Sequence, residues 1–300
     1  MSVNAFDDKY NWSIGILFGL LAGFFDSIKN VLAKKDTSSY SETLITFTWM
    51  LFASVVTVPL ALFSIPNFIS LELIVIFAAV TALDFYGYIF YLKSLKFTDL
   101  SLSLPMLAFT PVFVLIISFL FFHQTVSSLA LLGIMLIITG AYWLNIQKGK
   151  VELLAPIKQI YQNIGVRYML MTSILWGFAG SLHKIGITDS NPLFYTGISY
   201  ALLTLLYFVL LIRENKSQLR ILKNGSDIKI LAPVGILEGT SSLFQYLSQG
   251  LIASSVITIS LKRSSIVFSA VFGKLFFREK IRERMVPIGL VVIGIVLLAL

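Results

Sequence analysis

Lys262 and Arg263 are adjacent cations about halfway along an apolar run, 251–277, that is long enough to cross a bilayer. A charge at this depth costs roughly 2.5–3.5 kcal/mol on insertion scales, and both residues are too far from either end to reach the membrane surface. Such residues normally face a bundle interior or a water-filled cavity. Because both side chains are cationic, the chemistry that they predict is the binding of a carboxylate or a phosphate.

Two acids lie inside other apolar runs. Asp84 is deep in the third run with Tyr88 on the same helical face, and Glu238 is in the eighth run with Gln245 on its face. A carboxylate in such a place needs a partner from another helix, or it stays protonated. We expect these acids to be proton carriers, ligands for an amino group, or counter-ions that pair with one of the two cations while the other cation faces a ligand. The alternative is a buried ion pair with a structural role.

Further polar residues lie near the ends of two apolar runs. Asp26 and Lys29 are three residues apart in the first run, so they share a helical face and can neutralise each other. Both a place on a cavity and an anchoring role at the membrane surface remain open for them. His183 and Lys184 lie near the end of the sixth run. We expect them to join the substrate-binding residues, and we expect no metal and no cofactor, since a lone histidine has no second ligand at suitable spacing.

The composition is that of a membrane protein. Apolar residues make up 57% of the chain and charged residues 13%, against about 25% charged residues in soluble domains. The net charge of +8 comes from residues at the ends of the apolar runs, which indicates lipid headgroups and not nucleic acid. No nucleotide-binding or HExxH motif occurs, and no cysteine is available for thiolate chemistry. Ten candidate spans can be marked, at about 12–33, 43–64, 71–91, 100–122, 128–146, 168–187, 192–212, 230–248, 251–277 and 285–300.

The two halves of the chain resemble each other at an offset of about 155 residues. Val112-Phe113 matches Val267-Phe268, and Glu238 lies within one residue of the position equivalent to Asp84. With five spans per half, the second half enters the membrane from the opposite side, which is typical of secondary transporters. The expected organisation is a first five-helix repeat at 1–150, an amphipathic linker at 151–167 and a second five-helix repeat at 168–300.

With these features the whole chain resembles a ten-span member of the drug/metabolite transporter superfamily, built from two EamA-type repeats. The likeness rests on the five-plus-five pattern and on the segments TDLSLSLPMLAFTPVFVLIISFLFF and SLKRSSIVFSAVFGKLFFREK, each followed by a further apolar run. Pro111 fits the mid-span proline of such repeats, and Glu279 fits the acidic residue at the end of the span. The resemblance implies an all-α integral membrane protein of the cell membrane, with ten transmembrane helices as two inverted repeats.

The predicted function is secondary-active transport of a small anionic or zwitterionic metabolite by alternating access. An amino acid, an organic acid or a nucleotide-like solute fits this prediction, with protons or a counter-substrate as coupling partner. The oligomeric state stays open between monomer and homodimer. The alternative is a membrane-embedded enzyme or a flippase acting on a lipid-phosphate intermediate. Transport is favoured because the polar residues lie at mid-depth on different spans and not together at one membrane face.

The basic residues of the loops predict the orientation. Loops after the odd-numbered spans hold 17 Lys and Arg, whereas the N-terminus and the even-numbered loops hold one, Lys9. Positive loops mark the cytoplasmic side, so both termini are expected outside the cytoplasm. A reporter that fluoresces only in the cytoplasm, fused to Leu300, should therefore stay dark. Bright cells would reverse the orientation without affecting the fold.

Overall fold

Helices make up the regular structure throughout the described part of the chain, and no strand occurs there. The computed structural model describes residues 3–36, 40–98, 103, 106–122, 125–144, 161–215, 225–277 and 285–299. The helices of the first half are α1 Val3–Asp36, α2 Glu42–Leu62, α3 Leu71–Phe97, α4 Thr110–Phe122 and α5 Ser128–Leu144. Those of the second half are α6 Ile164–Asp189, α7 Pro192–Asn215, α8 Gly225–Leu251, α9 Ser255–Lys262, α10 Ser265–Phe277 and α11 Met285–Ala299.

Several of these helices are membrane spans by length and composition. Four described segments are long and apolar enough to cross a bilayer: Asn11–Ala33, Glu42–Leu62, Leu71–Phe97 and Pro192–Glu214. The helices α4, α5 and α11 are apolar but shorter. The helices α6 and α8 have 26 and 27 residues and carry polar side chains along their length. The all-α fold of a multi-pass membrane protein is confirmed, and a crossing by all ten predicted spans stays a prediction.

Polar residues set where the spans begin. The Ser41 hydroxyl accepts the amide N–H of Leu44 at the start of α2, and the Asn163 side chain accepts two amide N–H groups at the start of α6. Such caps satisfy amide groups that have no partner within the helix. Because of the cap at Asn163, α6 begins inside the predicted linker 151–167. Most of that linker, 151–160, lies outside the described residues.

The ninth predicted span, 251–277, is not one helix. The helix α8 continues to Leu251, and two helices separated by a turn at 263–264 follow it. Lys262 is thus the last residue of α9, and Arg263 lies in the break before α10. The prediction of two cations in the middle of a continuous helix is wrong, because the polar stretch from Lys262 to Ser265 ends one helix and begins the next.

The fourth span is interrupted at the equivalent place. A turn at 108–109 precedes α4, and Ala108 lies 155 residues before Arg263. Pro111 stands in the first turn of α4, where a missing amide N–H removes no helical hydrogen bond. It therefore marks the start of a helix within the predicted fourth span. Pro105 and Glu279 lie outside the described residues.

Helices of the two halves pack on each other in matching pairs. Helix α1 packs on α8 and α6 packs on α3, while α2 packs on α7 and α5 on α11. In addition, α1 contacts α9 and α10, and α6 contacts α4. The largest buried cluster mixes both halves and includes Trp49, Tyr91 and Tyr207, which have no exposed surface. The elements with the most polar residues, α1, α3, α6 and α8, consequently meet around the two helix breaks.

Small residues bring α1 close to the second half. The positions of Gly15 and Gly19 face Ile252 and Leu261, and Gly23 faces the backbone of the break after α9. The hydroxyl of Ser248 donates to the Gly15 carbonyl at 2.6 Å across the same contact. The three glycines thus allow close packing of α1 on the second half.

The break after α9 should be sensitive to volume at Gly23. A Cβ added there would lie against the Ser264 side chain, 2.9 Å from the Lys262 carbonyl oxygen and 3.0 Å from the Ser265 amide nitrogen. Backbone atoms cannot move aside like a flexible side chain, so G23A should lower stability by about 1–3 kcal/mol. Thermal unfolding in detergent measures this. G289A is the matched control, because no described atom outside its own stretch of helix lies within 4 Å of the added Cβ. Equal melting temperatures of the two variants would contradict the prediction.

Candidate functional site

A cavity of about 60 Å³ lies at the junction of the two halves. A water molecule needs roughly 10–15 Å³ of such space, so the cavity has room for a few waters or a small polar group. Nine of the ten predicted site residues line it: Asp26, Lys29, Asp84, Tyr88, His183, Glu238, Gln245, Lys262 and Arg263. The sequence found these residues from isolated polar positions, and the fold brings them together.

Lys29 joins two carboxylates on one side of the cavity. Its Nζ is 2.8 Å from Asp26 Oδ1 and 2.8 Å from Glu238 Oε2, and all three side chains are buried. The predicted neutralisation of Asp26 by Lys29 is confirmed. The second partner was missed, because it comes from α8 and depends on which helix packs on α1. One cation between two carboxylates leaves this group with a surplus of one negative charge.

Hydroxyl groups surround the carboxylate of Glu238. Tyr88 donates to its Oε1 at 2.5 Å, Tyr200 at 2.8 Å and Ser242 at 3.2 Å. Tyr200 belongs to α7 and was not among the predicted site residues. It was missed because a tyrosine in an apolar run counts as apolar in a hydropathy pattern. Its hydroxyl was the available sign of a polar contact, since a buried hydroxyl needs a hydrogen-bond partner.

A second layer fixes Asp26 and Lys29. The Asn30 side-chain Nδ2 donates to Asp26 Oδ2 at 3.1 Å, and the Tyr91 hydroxyl donates to Asn30 Oδ1 at 2.7 Å. The Lys29 ammonium also lies 5.4 Å from the centre of the Tyr91 ring. These contacts hold the charged group in one geometry.

Asp84 meets a different base. Its Oδ2 lies 3.3 Å from His183 Nε2. The hydroxyls of Tyr246 and Tyr195 lie 3.0 Å from the Nε2 and Nδ1 of the same ring. All four side chains are buried, so the imidazole is enclosed by one carboxylate and two phenols.

The two acid–base pairs occupy equivalent positions in the two halves. His183 follows Lys29 by 154 residues, and Glu238 follows Asp84 by the same number. Each base lies on the first helix of one half, and each acid lies on the third helix of the other half. At the offset of 155 residues used in the sequence analysis, Lys29 falls on Lys184, one residue past His183.

Lys262 and Arg263 have no acidic partner in the described part of the chain. Lys262 Nζ donates to Gln245 Oε1 at 2.8 Å. Arg263 is 6% exposed, and its Nε has no hydrogen-bond partner among the described residues. The prediction that one of them pairs with Asp84 or Glu238 is wrong, because those acids already meet His183 and Lys29.

Lys184 is the predicted site residue that the cavity does not include. Its ammonium donates to the carbonyl oxygens of Gln249 and Ile252, the second at 3.0 Å. A cation near a helix C-terminus satisfies carbonyls that have no helical partner. Lys184 thus fixes the connection between α8 and α9.

The charges around the cavity determine its chemistry. With His183 neutral, the described side chains balance: three carboxylates, Asp26, Asp84 and Glu238, against three cations, Lys29, Lys262 and Arg263. They are not evenly placed, since the two cations at the break are unpaired and the Lys29 group carries a negative surplus. No group of three or more metal-binding side chains occurs among the described residues. The arrangement is suited to an anionic group at the break.

Comparisons with known proteins find a matching family, a related sequence and a similar fold. The profile of the EamA-like transporter family matches residues 13–146 and, a second time, residues 163–300. Over 294 residues the chain is 26% identical to a protein of Archaeoglobus fulgidus named an uncharacterized transporter, covering 95% of this chain and 98% of that one. A solved crystal structure of a protein superposes with a TM-score of 0.71 at 14% identity, covering 95% and 96% of the two chains, so the two share a fold.

Proposed function

The chain belongs to the EamA-like transporter family, and on that premise we propose that it carries a small anionic or zwitterionic metabolite by secondary-active alternating access. Membrane transport itself follows from the family and from the relative named a transporter. The solute class, the mechanism and the residues that bind the solute make up the proposal.

The repeat architecture is the first part of the proposal. The family profile matches each half once, helices pair between the halves, and the breaks before α4 and α10 are related by 155 residues. These features support two five-helix repeats, 1–150 and 168–300, with the second inverted relative to the first. In such transporters the solute lies at the repeat interface, next to discontinuous helices.

The observation that carries the solute class is Arg263. A buried guanidinium without a counter-ion costs several kcal/mol, so the fold retains an unfavourable group unless a ligand compensates it. Guanidinium binds a carboxylate or phosphate through two parallel hydrogen bonds, and the neighbouring Lys262 adds a point charge. The surrounding break is irregular backbone, which is tolerated at membrane depth where it lines a cavity. We assign the anion site to these two residues.

The Lys29 group leaves room for a zwitterion as well as for a simple anion. The Lys29 group has a negative surplus, and the hydroxyl of Tyr88 lies against Glu238. An ammonium group near Glu238 would find opposite charge while its carboxylate meets Arg263. Trp176 and Ile259 also line the cavity and provide apolar contact for a short hydrocarbon body.

Counterflow in proteoliposomes tests the proposal. Vesicles are loaded with unlabelled pyruvate, lactate, succinate, glycine, glutamate, inorganic phosphate or adenosine monophosphate, and uptake of the same labelled solute is measured. We expect saturable exchange for at least one panel member, above the rate in protein-free vesicles. Properly folded protein that exchanges none of them would overturn this solute class.

A further inference from the structure

The two equivalent acid–base pairs differ in one chemical respect. The pair Lys29–Glu238 contains an ammonium, which stays charged at neutral pH, whereas Asp84–His183 contains an imidazole. Imidazole is the side chain that ordinarily gains or loses a proton between about pH 5 and 8. His183 is 4% exposed and lines the cavity. The proposed anion site does not use it.

The surroundings of His183 accept both of its charge states. Tyr195 and Tyr246 each place a hydroxyl 3.0 Å from a ring nitrogen, and a hydroxyl can donate or accept. A neutral ring donates from one nitrogen and accepts at the other. A protonated ring donates from both, and Asp84, 3.3 Å from Nε2, supplies a carboxylate for the added N–H. A proton can therefore arrive or leave without stranding a buried polar group.

Other titratable groups near the ring are already engaged. Three contact it: Asp84 from α3, Tyr195 from α7 and Tyr246 from α8. Across the cavity, Tyr88 and Tyr200 are hydrogen-bonded to Glu238, and Glu238 meets Lys29. Lys262 of α9 donates to an amide, and the described residues of α4 include no titratable side chain. On α6 itself, Lys184 donates to backbone carbonyls.

We propose that His183, with Asp84, is a proton-binding site that takes up one proton together with one monoanionic solute. This inference rests on the proposed function and names its coupling ion. With His183 neutral the described lining is balanced, so a bound monoanion leaves one uncompensated negative charge in an interior where charges interact strongly. A proton on His183 restores the balance. Because coupling between two binding sites is reciprocal, a bound proton raises anion affinity and a bound anion raises proton affinity.

The coupling predicts electroneutral cotransport. Pyruvate and lactate are the probes, each measured as the initial uptake rate after subtraction of protein-free vesicles. An inward proton gradient, with about pH 5.5 outside and about pH 7.5 inside, drives the coupled uptake and should raise the rate about tenfold. An imposed potassium–valinomycin potential should leave the rate nearly unchanged, because one proton and one monoanion carry no net charge. With no imposed pH difference, an inward pyruvate gradient should acidify the vesicle interior.

Substitutions identify the residue. In H183Q the ratio of rates with and without the proton gradient should fall to about one, and D84N should lower it as well, because it removes the carboxylate that stabilises protonated His183. H123Q is the matched control, since it removes the other histidine of the chain, and it should keep the full ratio. Size-exclusion profiles check that each variant is folded.

The outcomes separate the two proposals. The proton site is overturned if uptake of pyruvate or lactate responds to the membrane potential, or if uptake does not acidify the vesicle interior. The transport proposal stands in both cases. A full gradient response in folded H183Q likewise overturns the proton site alone. Exchange confined to zwitterions overturns the coupling by charge balance. Exchange of no panel member removes the proposed solute class, and the proton site with it.

Discussion

Replacing Arg263 with methionine is expected to abolish most anion binding while the protein stays folded. The guanidinium is buried and meets no carboxylate in the described structure, so its removal strands no counter-ion. Loss of a charge-assisted hydrogen bond to the solute should weaken binding by about 1.5–3 kcal/mol, or roughly 10- to 100-fold. Calorimetry in detergent, with the solute identified in the exchange panel, measures this loss of affinity.

Two further variants separate charge from geometry. R263K keeps the charge and loses the paired hydrogen bonds, so its affinity should lie between those of the wild type and R263M. K262M loses the hydrogen bond to Gln245 and one point charge, and it should weaken binding less than R263M. Unchanged affinity in folded R263M would show that the anion binds elsewhere.

The sequence predicted the helices better than their interruptions. Apolar length alone placed α2 near 43–64 and α3 from residue 71, within a few residues of the structure. The break at 263–264 was missed, because the apolar segments before and after the polar stretch made 251–277 look like one span, and hydropathy does not register a turn. Ser264 and Ser265 were the available sign, since short hydroxyl side chains compete for backbone hydrogen bonds and favour helix ends.

The candidate site could be found residue by residue but not connected. The free-energy cost of a charged side chain inside the membrane singled out Asp84, Glu238, Lys262 and Arg263. All four line one cavity. Their partners depend on which helices pack, and that information is not local. The constant offset of 154 from Lys29 to His183 and from Asp84 to Glu238 relates base to base and acid to acid, so one known pair would have predicted the other.

Lys29 should respond to the same substitution in the opposite way from Arg263. K29M removes the ammonium between Asp26 and Glu238, whose oxygens each lie 2.8 Å from it. Two buried carboxylates then lose the cation that lies between them, at a cost of about 3–5 kcal/mol. Since domains are stable by only about 5–15 kcal/mol, the folded yield should fall sharply. Fluorescence-detected size exclusion and melting temperature measure the loss.

A rescue variant tests whether charge is the cause of that loss. In D26N/K29M/E238Q no buried charge remains in the group, and Tyr88 and Tyr200 keep hydrogen-bond partners, so most of the folded yield should return. K96M is the matched control, because Lys96 forms a 3.2 Å salt bridge with Glu42 and its side chain is 46% exposed. An exposed pair of this kind contributes about 0.2–1 kcal/mol, so K96M should melt close to the wild type. If K29M unfolds and the triple variant does not recover, the ammonium stabilises the protein through packing. Recovery, together with stable R263M, would show that one cation of the cavity belongs to the fold and the other is left free for the solute.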